Sequence, residues 1–324
     1  MNSRLRYLAR ILEVYLAPGR GPLSFWYETP EVNERAFLGD LDEYYMAFGG
    51  KANYRGPFDQ EGIPLLDYRG EIGRQYNPIA IAQYGLACWN RWRRSAEPAW
   101  KDRFFHAADW LARNLKENGK KVPVWNHHFD WPYRQTLKAP WYSGLAQGQG
   151  ISLLVRAAAQ ENGRGYSEAA EAAFVSFRRS VDEGGIICRD AEGHLWIEEY
   201  IVDPPSHILN GFIWALWGVY DFAKWSRGNE ARGIFEEAVD TLRVNLRRYD
   251  AGYWSLYELP NEGPPMLASP YYHSLHIVQL RAMHRLTGED FFREYADRWQ
   301  RFKENRLYSA LALARKAWYK IWRY

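Results

Sequence analysis

PWYSGLAQGQGISLLVRA, residues 140–157, is small or apolar at nearly every position from Leu145 onward, and its polar breaks are Gln147, Gln149, Ser152 and Arg156. A helix of that composition has no polar face broad enough for solvent, so it is expected to be buried all round. The pattern recurs in NPIAIAQYGLACWNRW (77–92), SHILNGFIWALWGVYDF (206–222) and YHSLHIVQLRAMHRL (272–286). The polar anchors Gln83, Gln147, Asn210 and His276 follow one another at 64, 63 and 66 residues. A repeat at that period makes each copy one structural unit.

Between these inner segments lie amphipathic ones, RFFHAADWLARNL from Arg103, SEAAEAAFVSFRRSV from Ser167, ARGIFEEAVDTLRVNL from Ala231 and FFREYADRWQRF from Phe291. Their apolar residues return every three or four positions with charges opposite, the signature of helices with one wet face. After the first three come VPVWNHHFDW, GGIICRDAEGHLWIEEY and GYWSLYEL, whose alternation and Asp190–Gly193 turn predict short hairpins. Helix, helix, hairpin, four times over, predicts a mainly α fold: an α/α toroid, an (α/α)4-like barrel with short β-hairpins at one rim. A linear solenoid alternates inner and outer helices too, but inner helices apolar on all sides suit a closed ring better.

The organisation expected is an N-terminal arm over 1–56, the toroid over 57–304 and an amphipathic helix over 305–324. The arm's LGDLDEYYMAFGGKANYRGPF is expected across the ring mouth. The tail, LYSALALARKAWYKIWRY from Leu307 with Trp318, Trp322 and Tyr324, is basic and aromatic. It is expected either to pack on an outer helix or a second subunit, giving a homodimer, or to touch a membrane surface.

Composition narrows the function. Lys plus Arg exceeds Asp plus Glu by only 3 (42 against 39), too small an excess for a nucleic-acid partner. An anionic polymer in a locally positive cleft remains open. The 16 Trp and 23 Tyr fit a carbohydrate groove, where rings lie on sugar C–H faces, or a core filled by large rings. Cys88 and Cys188 are expected to be free, which suits a reducing compartment. The N-terminal run MNSRLRYLARILEVYLAPGR is broken by Arg10 and Glu13 and reads as neither signal peptide nor membrane span, so a cytoplasmic location is expected.

Hairpin tips and inner-helix starts should converge on one cavity. That gathers Glu198, Glu199, Tyr200, Asn210, Tyr257, Glu258, Tyr271, Tyr272, His273, His276, Gln147 and Gln149, with Tyr76, Gln83, Tyr84 and Tyr142 from the first two units as further substrate contacts. In an alternating strand Glu198 and Tyr200 share one side and Glu199 takes the other, so one Glu is expected to be scaffold unless the strand end re-aims it. No Gly-x-Ser-x-Gly elbow and no phosphate loop is present. The pairs His127–His128 and His273–His276 lack the carboxylates or thiolates that a metal set needs, so no metal and no cofactor is expected. Adjacent acids diverge, which weakens a glycosidase pair. Tyrosines beside a carboxylate point instead to proton transfer at carbon, as at C5 of a uronic acid.

These segments resemble the D-glucuronyl C5-epimerases of heparin and heparan sulfate biosynthesis, in their C-terminal catalytic domain. The similar stretches are EGIPLLDYRGEIGRQYNPIAIAQYGL, PWYSGLAQGQGISLLVRA, EEYIVDPPSHILNGFIWALWGVYDF, GYWSLYEL and YYHSLHIVQL, in order from about Glu61 to Phe302. The resemblance implies an α/α toroid that converts glucuronate to iduronate within a polymer. It implies catalytic roles for Glu199 and Tyr200 of EEY, for Tyr257 and for Tyr272, and a substrate contact at Asn210. Gln147 and His273 are expected to help hold the substrate. Where family members carry Arg three residues after the hairpin tyrosine, this chain has Pro260. Two rival readings stay open: a lyase that expels the C4 oxygen from the same carbanion, and a non-catalytic glycan-binding toroid.

Overall fold

The computed structural model describes residues 25–26, 28–68, 70–161, 163–259 and 265–323, with side chains through 316. Pro260, Tyr324 and the first 24 residues of the arm lie outside that set, as do the side chains of Trp318 and Trp322. Helix α1 is a single turn, Gly49–Ala52. The four inner segments form α2 (Pro78–Ser95), α4 (Gly144–Gln160), α6 (Leu209–Ser226) and α8 (Pro270–Thr287). Outside them run α3 (Pro98–Asn114), α5 (Tyr166–Phe174), α7 (Asn229–Asn245) and α9 (Asp290–Glu304), then α10 (Arg306–Arg323).

Each inner helix packs on the next, α2 on α4, α4 on α6 and α6 on α8, and each outer helix lies against its own inner partner. This is the α/α toroid. Three inner helices start on a side-chain cap: Asn77, Ser143 and Ser269 each accept a backbone N–H of the first turn. The closest crossing is α4 on α6. A Cβ on Gly218 would lie 2.2 Å from the Gly148 carbonyl oxygen, and one on Gly148 would lie 2.4 Å from the Ala215 Cα. Gly218→Ala is therefore expected to cost about 1–3 kcal/mol through forced separation of the pair. An unchanged denaturant midpoint would refute this.

Among the described residues the strands form four antiparallel pairs of two or three residues each. They are β1 (Leu65–Asp67) with β2 (Arg74–Tyr76), β3 (Lys116–Glu117) with β4 (Pro123–Val124), β5 (Trp131–Pro132) with β6 (Thr136–Leu137), and β7 (Ile187–Arg189) with β8 (Leu195–Ile197). The third unit's GYWSLYEL forms isolated bridges, Asp250 with Ser255 and Leu256 with Leu267, in place of a regular hairpin.

The arm departs from expectation. Residues 34–46 close the opposite end, at the C-terminal halves of the inner helices, while Trp26 reaches the cavity at the hairpin end. Trp89 donates to the Asp42 carbonyl at 2.8 Å, the Asn90 side chain accepts from Tyr44 N at 2.6 Å, and the Tyr45 hydroxyl donates to Asp221 at 2.5 Å. Glu34 bonds Arg285 of α8 at 2.9 Å. Burial explains the choice: Tyr44, Tyr45, Met46 and Phe48 would be wet across a mouth and are 0–3% exposed here. Both cysteines are free. No helix among the described residues is long and apolar enough to cross a membrane.

Candidate active site

At the open end of the ring is a cavity of about 130 Å³ lined by Glu199, Tyr200, Asn210, Tyr272, Gln83, Trp214 and an aromatic wall that includes Trp26, Tyr68, Phe129 and Trp131. It is smaller than the roughly 300 Å³ of a site for a drug-sized ligand, so it suits one sugar ring with the rest of a polymer outside. Tyr68 is tilted against Phe129 at 4.9 Å and meets Trp131 edge to face at 5.7 Å. Such rings offer apolar faces on which pyranose C–H groups can pack.

The two adjacent glutamates separate cleanly. Strand β8 ends at Ile197, so alternation stops before the pair. Glu198 turns into the scaffold: it accepts from the backbone N–H groups of Ser206 and His207 at 3.3 and 3.1 Å and bonds His207 Nδ1 at 2.5 Å. Glu199 turns into the cavity with Tyr200, where it accepts from Asn210 Nδ2 at 3.4 Å. Gly211 makes that possible, since a Cβ there would lie 2.1 Å from Glu199 Oε2. Burial pushes the Glu199 carboxyl up to about 8, reinforced by the charges of Glu198 and Glu258 and opposed by hydrogen bonds from Tyr200 and Asn210.

The tyrosines converge on this acid. Ser269 caps α8 and Pro270 opens it, which puts Tyr271 and Tyr272 in the first turn at the cavity wall. The Tyr257 ring lies 4.8 Å from that of Tyr272, held by bonds between Leu209 N and the Tyr257 carbonyl (3.1 Å) and between Leu259 N and the Ser206 carbonyl (3.0 Å). Burial, then the Glu199 charge, hold the phenols of Tyr200 and Tyr257 well above their ordinary value. Both are therefore neutral donors near neutral pH.

Other expected contacts lie elsewhere. The Gln147 amide is used up by Trp125 N, Ser176 Oγ and the carbonyls of Pro123 and Ala173, so it ties α4 to its outer partner. His273 stacks on Trp254 at 3.8 Å and bonds Ser255 and the Trp299 carbonyl; His276 shares the same Ser255 hydroxyl. Burial lowers His273 to about 4 and takes His276 well below its ordinary value, so both are neutral packing groups. His127 stacks on Trp141 and is lowered to about 3 by burial. Tyr76 bonds Asp59 on the exterior, Tyr84 packs on Phe58 in the core, and Tyr142 reaches the Gly185 carbonyl at 3.3 Å. None of these residues lines the cavity. Gln149 sits one layer below it and accepts from Gln83 at 3.0 Å.

Sequence reasoning missed the hairpin β5–β6. Tyr133, between its strands, lies 4.8 Å from Tyr200 and bonds Glu258, which Arg134 also grips at 2.7 Å. The run WPYRQTL carries a turn and an aromatic-cation pair, a signal available in the sequence. Three buried polar atoms on the cavity-lining residues, Gln83 Oε1, Asn210 Oδ1 and Trp214 Nε1, have no hydrogen-bond partner among the described residues. They are two acceptors and a donor, buried and unpaired, on side chains that line the cavity.

The family described as D-glucuronyl C5-epimerase C-terminus matches residues 118–301. A D-glucuronyl C5-epimerase of Caenorhabditis elegans is 31% identical over 212 residues, 60% of this chain and 34% of that protein, so the chain spans about a third of that relative. An uncharacterized protein of Methanocaldococcus jannaschii is 26% identical over 75% of this chain and 85% of its own length. Among solved structures, an unsaturated glucuronyl hydrolase of Bacillus sp. GL1 matches at 17% identity and a TM-score of 0.45, covering 72% of this chain and 61% of its own. A family 105 glycoside hydrolase of C. acetobutylicum matches at 10% identity and a TM-score of 0.49, covering 72% and 70%.

Proposed function

Because this chain belongs to the D-glucuronyl C5-epimerase C-terminus family, we propose that it inverts C5 of D-glucuronate residues within an anionic polysaccharide, giving L-iduronate, by proton removal and return without redox chemistry. The observation that carries this reading is a buried carboxyl at about 8 sharing one small cavity with the phenol of Tyr272.

A proton on C5 is weakly acidic, and a base of raised pKa is the better acceptor for it. The Glu199 carboxylate takes the proton from one face, the C5–H electron pair moves into the sugar carboxylate, and a planar enediolate forms. The Tyr272 phenol gives its proton to C5 from the other face. Tyr200 and Tyr257, neutral and close by, donate hydrogen bonds to the developing oxyanion, the term that lowers such barriers most. The pairing of Glu258 with Tyr133 and Arg134 beside Tyr200 orients that donor from behind. Asn210, Gln83 and Trp214 turn their buried, unpaired atoms to the ring hydroxyls as the sugar enters.

Incubation with an unsulfated glucuronate polymer in heavy water tests this. Deuterium at C5, iduronate in the product and intact chain length are expected. An unsaturated, ultraviolet-absorbing end group would overturn the reading in favour of a lyase, and affinity without exchange in favour of a binding module.

A further inference from the structure

Helix α10 leaves the ring with an apolar face uncovered. Of the seven large hydrophobic side chains exposed among the described residues, four are on this helix: Leu307 at 79%, Leu311 at 50%, Leu313 at 45% and Tyr308 at 37%. Its attachment to the body uses the other side. Ala312 is buried, Arg315 donates to the Tyr253 hydroxyl at 3.0 Å, and Lys316 donates to the Leu267 carbonyl at 2.8 Å. Leu307, Leu311 and Ala314 follow at four and three residues, the spacing of one helical stripe, and the sequence continues that spacing through Trp318 and Trp322.

Charge decides what covers the stripe. Residues 306–324 contain Arg306, Arg315, Lys316, Lys320 and Arg323 and no Asp or Glu. A second copy of the helix would bring ten cations together with no carboxylate between them, and like charges in an interface cost several kcal/mol in order of magnitude. A free anionic polymer would satisfy the cations and leave the leucines wet. An anionic bilayer satisfies both at once: apolar side chains enter the acyl boundary while Lys and Arg meet headgroup phosphates. No helix among the described residues is built to span a membrane, so the contact lies in the surface plane.

We infer that α10 docks this protein on the surface of an anionic lipid membrane, with Leu307 and Leu311 inserted and the exposed Arg306 on the headgroups. Arg315 and Lys316 hold the helix against Tyr253 and Leu267, so the docked helix stays tied to the body of the ring.

Cosedimentation of the full chain with phosphatidylcholine vesicles, with and without phosphatidylglycerol, tests this independently of the enzymatic reading. Binding that needs the anionic lipid and weakens in salt is expected. Leu307→Glu with Leu311→Glu should reduce partitioning at least about tenfold, and Arg306→Gln about fivefold, with C5 exchange on a soluble polymer unchanged. Equal binding to neutral vesicles, binding insensitive to the leucines, or a dimer in solution that the leucine substitutions dissolve would each overturn the inference.

Discussion

Glu199→Gln is expected to lower C5 exchange by about 10²- to 10⁴-fold, the range lost with a general acid or base, while raising stability at alkaline pH. The two effects share one cause. Burial raises the carboxyl from an ordinary value near 4.5 to about 8. The folded value exceeds the unfolded one, so folding favours the protonated form. Its stabilising contribution is complete below about 4.5 and is lost as pH climbs towards about 8, at about 1.4 kcal/mol per unit. The glutamine has no proton to lose. The variant should therefore exceed the parent protein by several kcal/mol in order of magnitude at pH near 8 and match it near pH 4. The parent's exchange rate should rise with pH towards the same value as the carboxylate form accumulates. Calorimetric scans across pH, beside the exchange assay, read both. A variant inactive yet no more stable at pH 8 would show that Glu199 is not the perturbed group.

The second large effect is structural. Arg156 and Asp221 are both 0% exposed and paired at 2.6 Å, with the Tyr45 hydroxyl on the same carboxylate and the Asp42 carbonyl on the guanidinium. Asp221→Leu strands a buried cation, at an expected cost of about 3–5 kcal/mol and a fall in Tm on the order of 10 °C. Adding Arg156→Met should restore most of this, because the cost lies in the unpaired charge and not in the absence of the pair. A double variant as unstable as the single one would contradict that account. Tyr45 and Asp42 belong to the arm, so proteolysis within residues 34–46 should accelerate in the single variant.

The ring was legible in the sequence because apolar periodicity is a local property and inner and outer helices differ in it throughout. The shared place of Glu199, Tyr200, Asn210 and Tyr272 on one cavity was legible through the motifs that hold them. Other anchors lie away from the cavity for a geometric reason. Gln83 is the sixth residue of its helix, Gln147 the fourth, Asn210 the second and His276 the seventh, and each residue of difference turns a side chain by about 100°. Equal repeat position therefore does not mean equal facing. Gln83 and Asn210 look into the cavity, whereas Gln147 looks at Ser176 and His276 at Ser255. The arm's site was illegible because its bonds to the inner helices join residues 44 to 251 positions apart in sequence, such as Met46 to Asn90 and Glu34 to Arg285. No local pattern encodes them.

The arm's position changes how a long substrate can approach. A ring open at both ends could be threaded like a bead. With Tyr44, Tyr45 and Phe48 packed under its inner helices, this ring is a cup. On the proposed reading, a polysaccharide would dip one residue into it and leave by the same side, which would make an interior sugar as reachable as a terminal one. Successive modifications should therefore fall along a polymer without running in from either end. Sequencing partly converted chains for blocks at their termini would show the pattern directly.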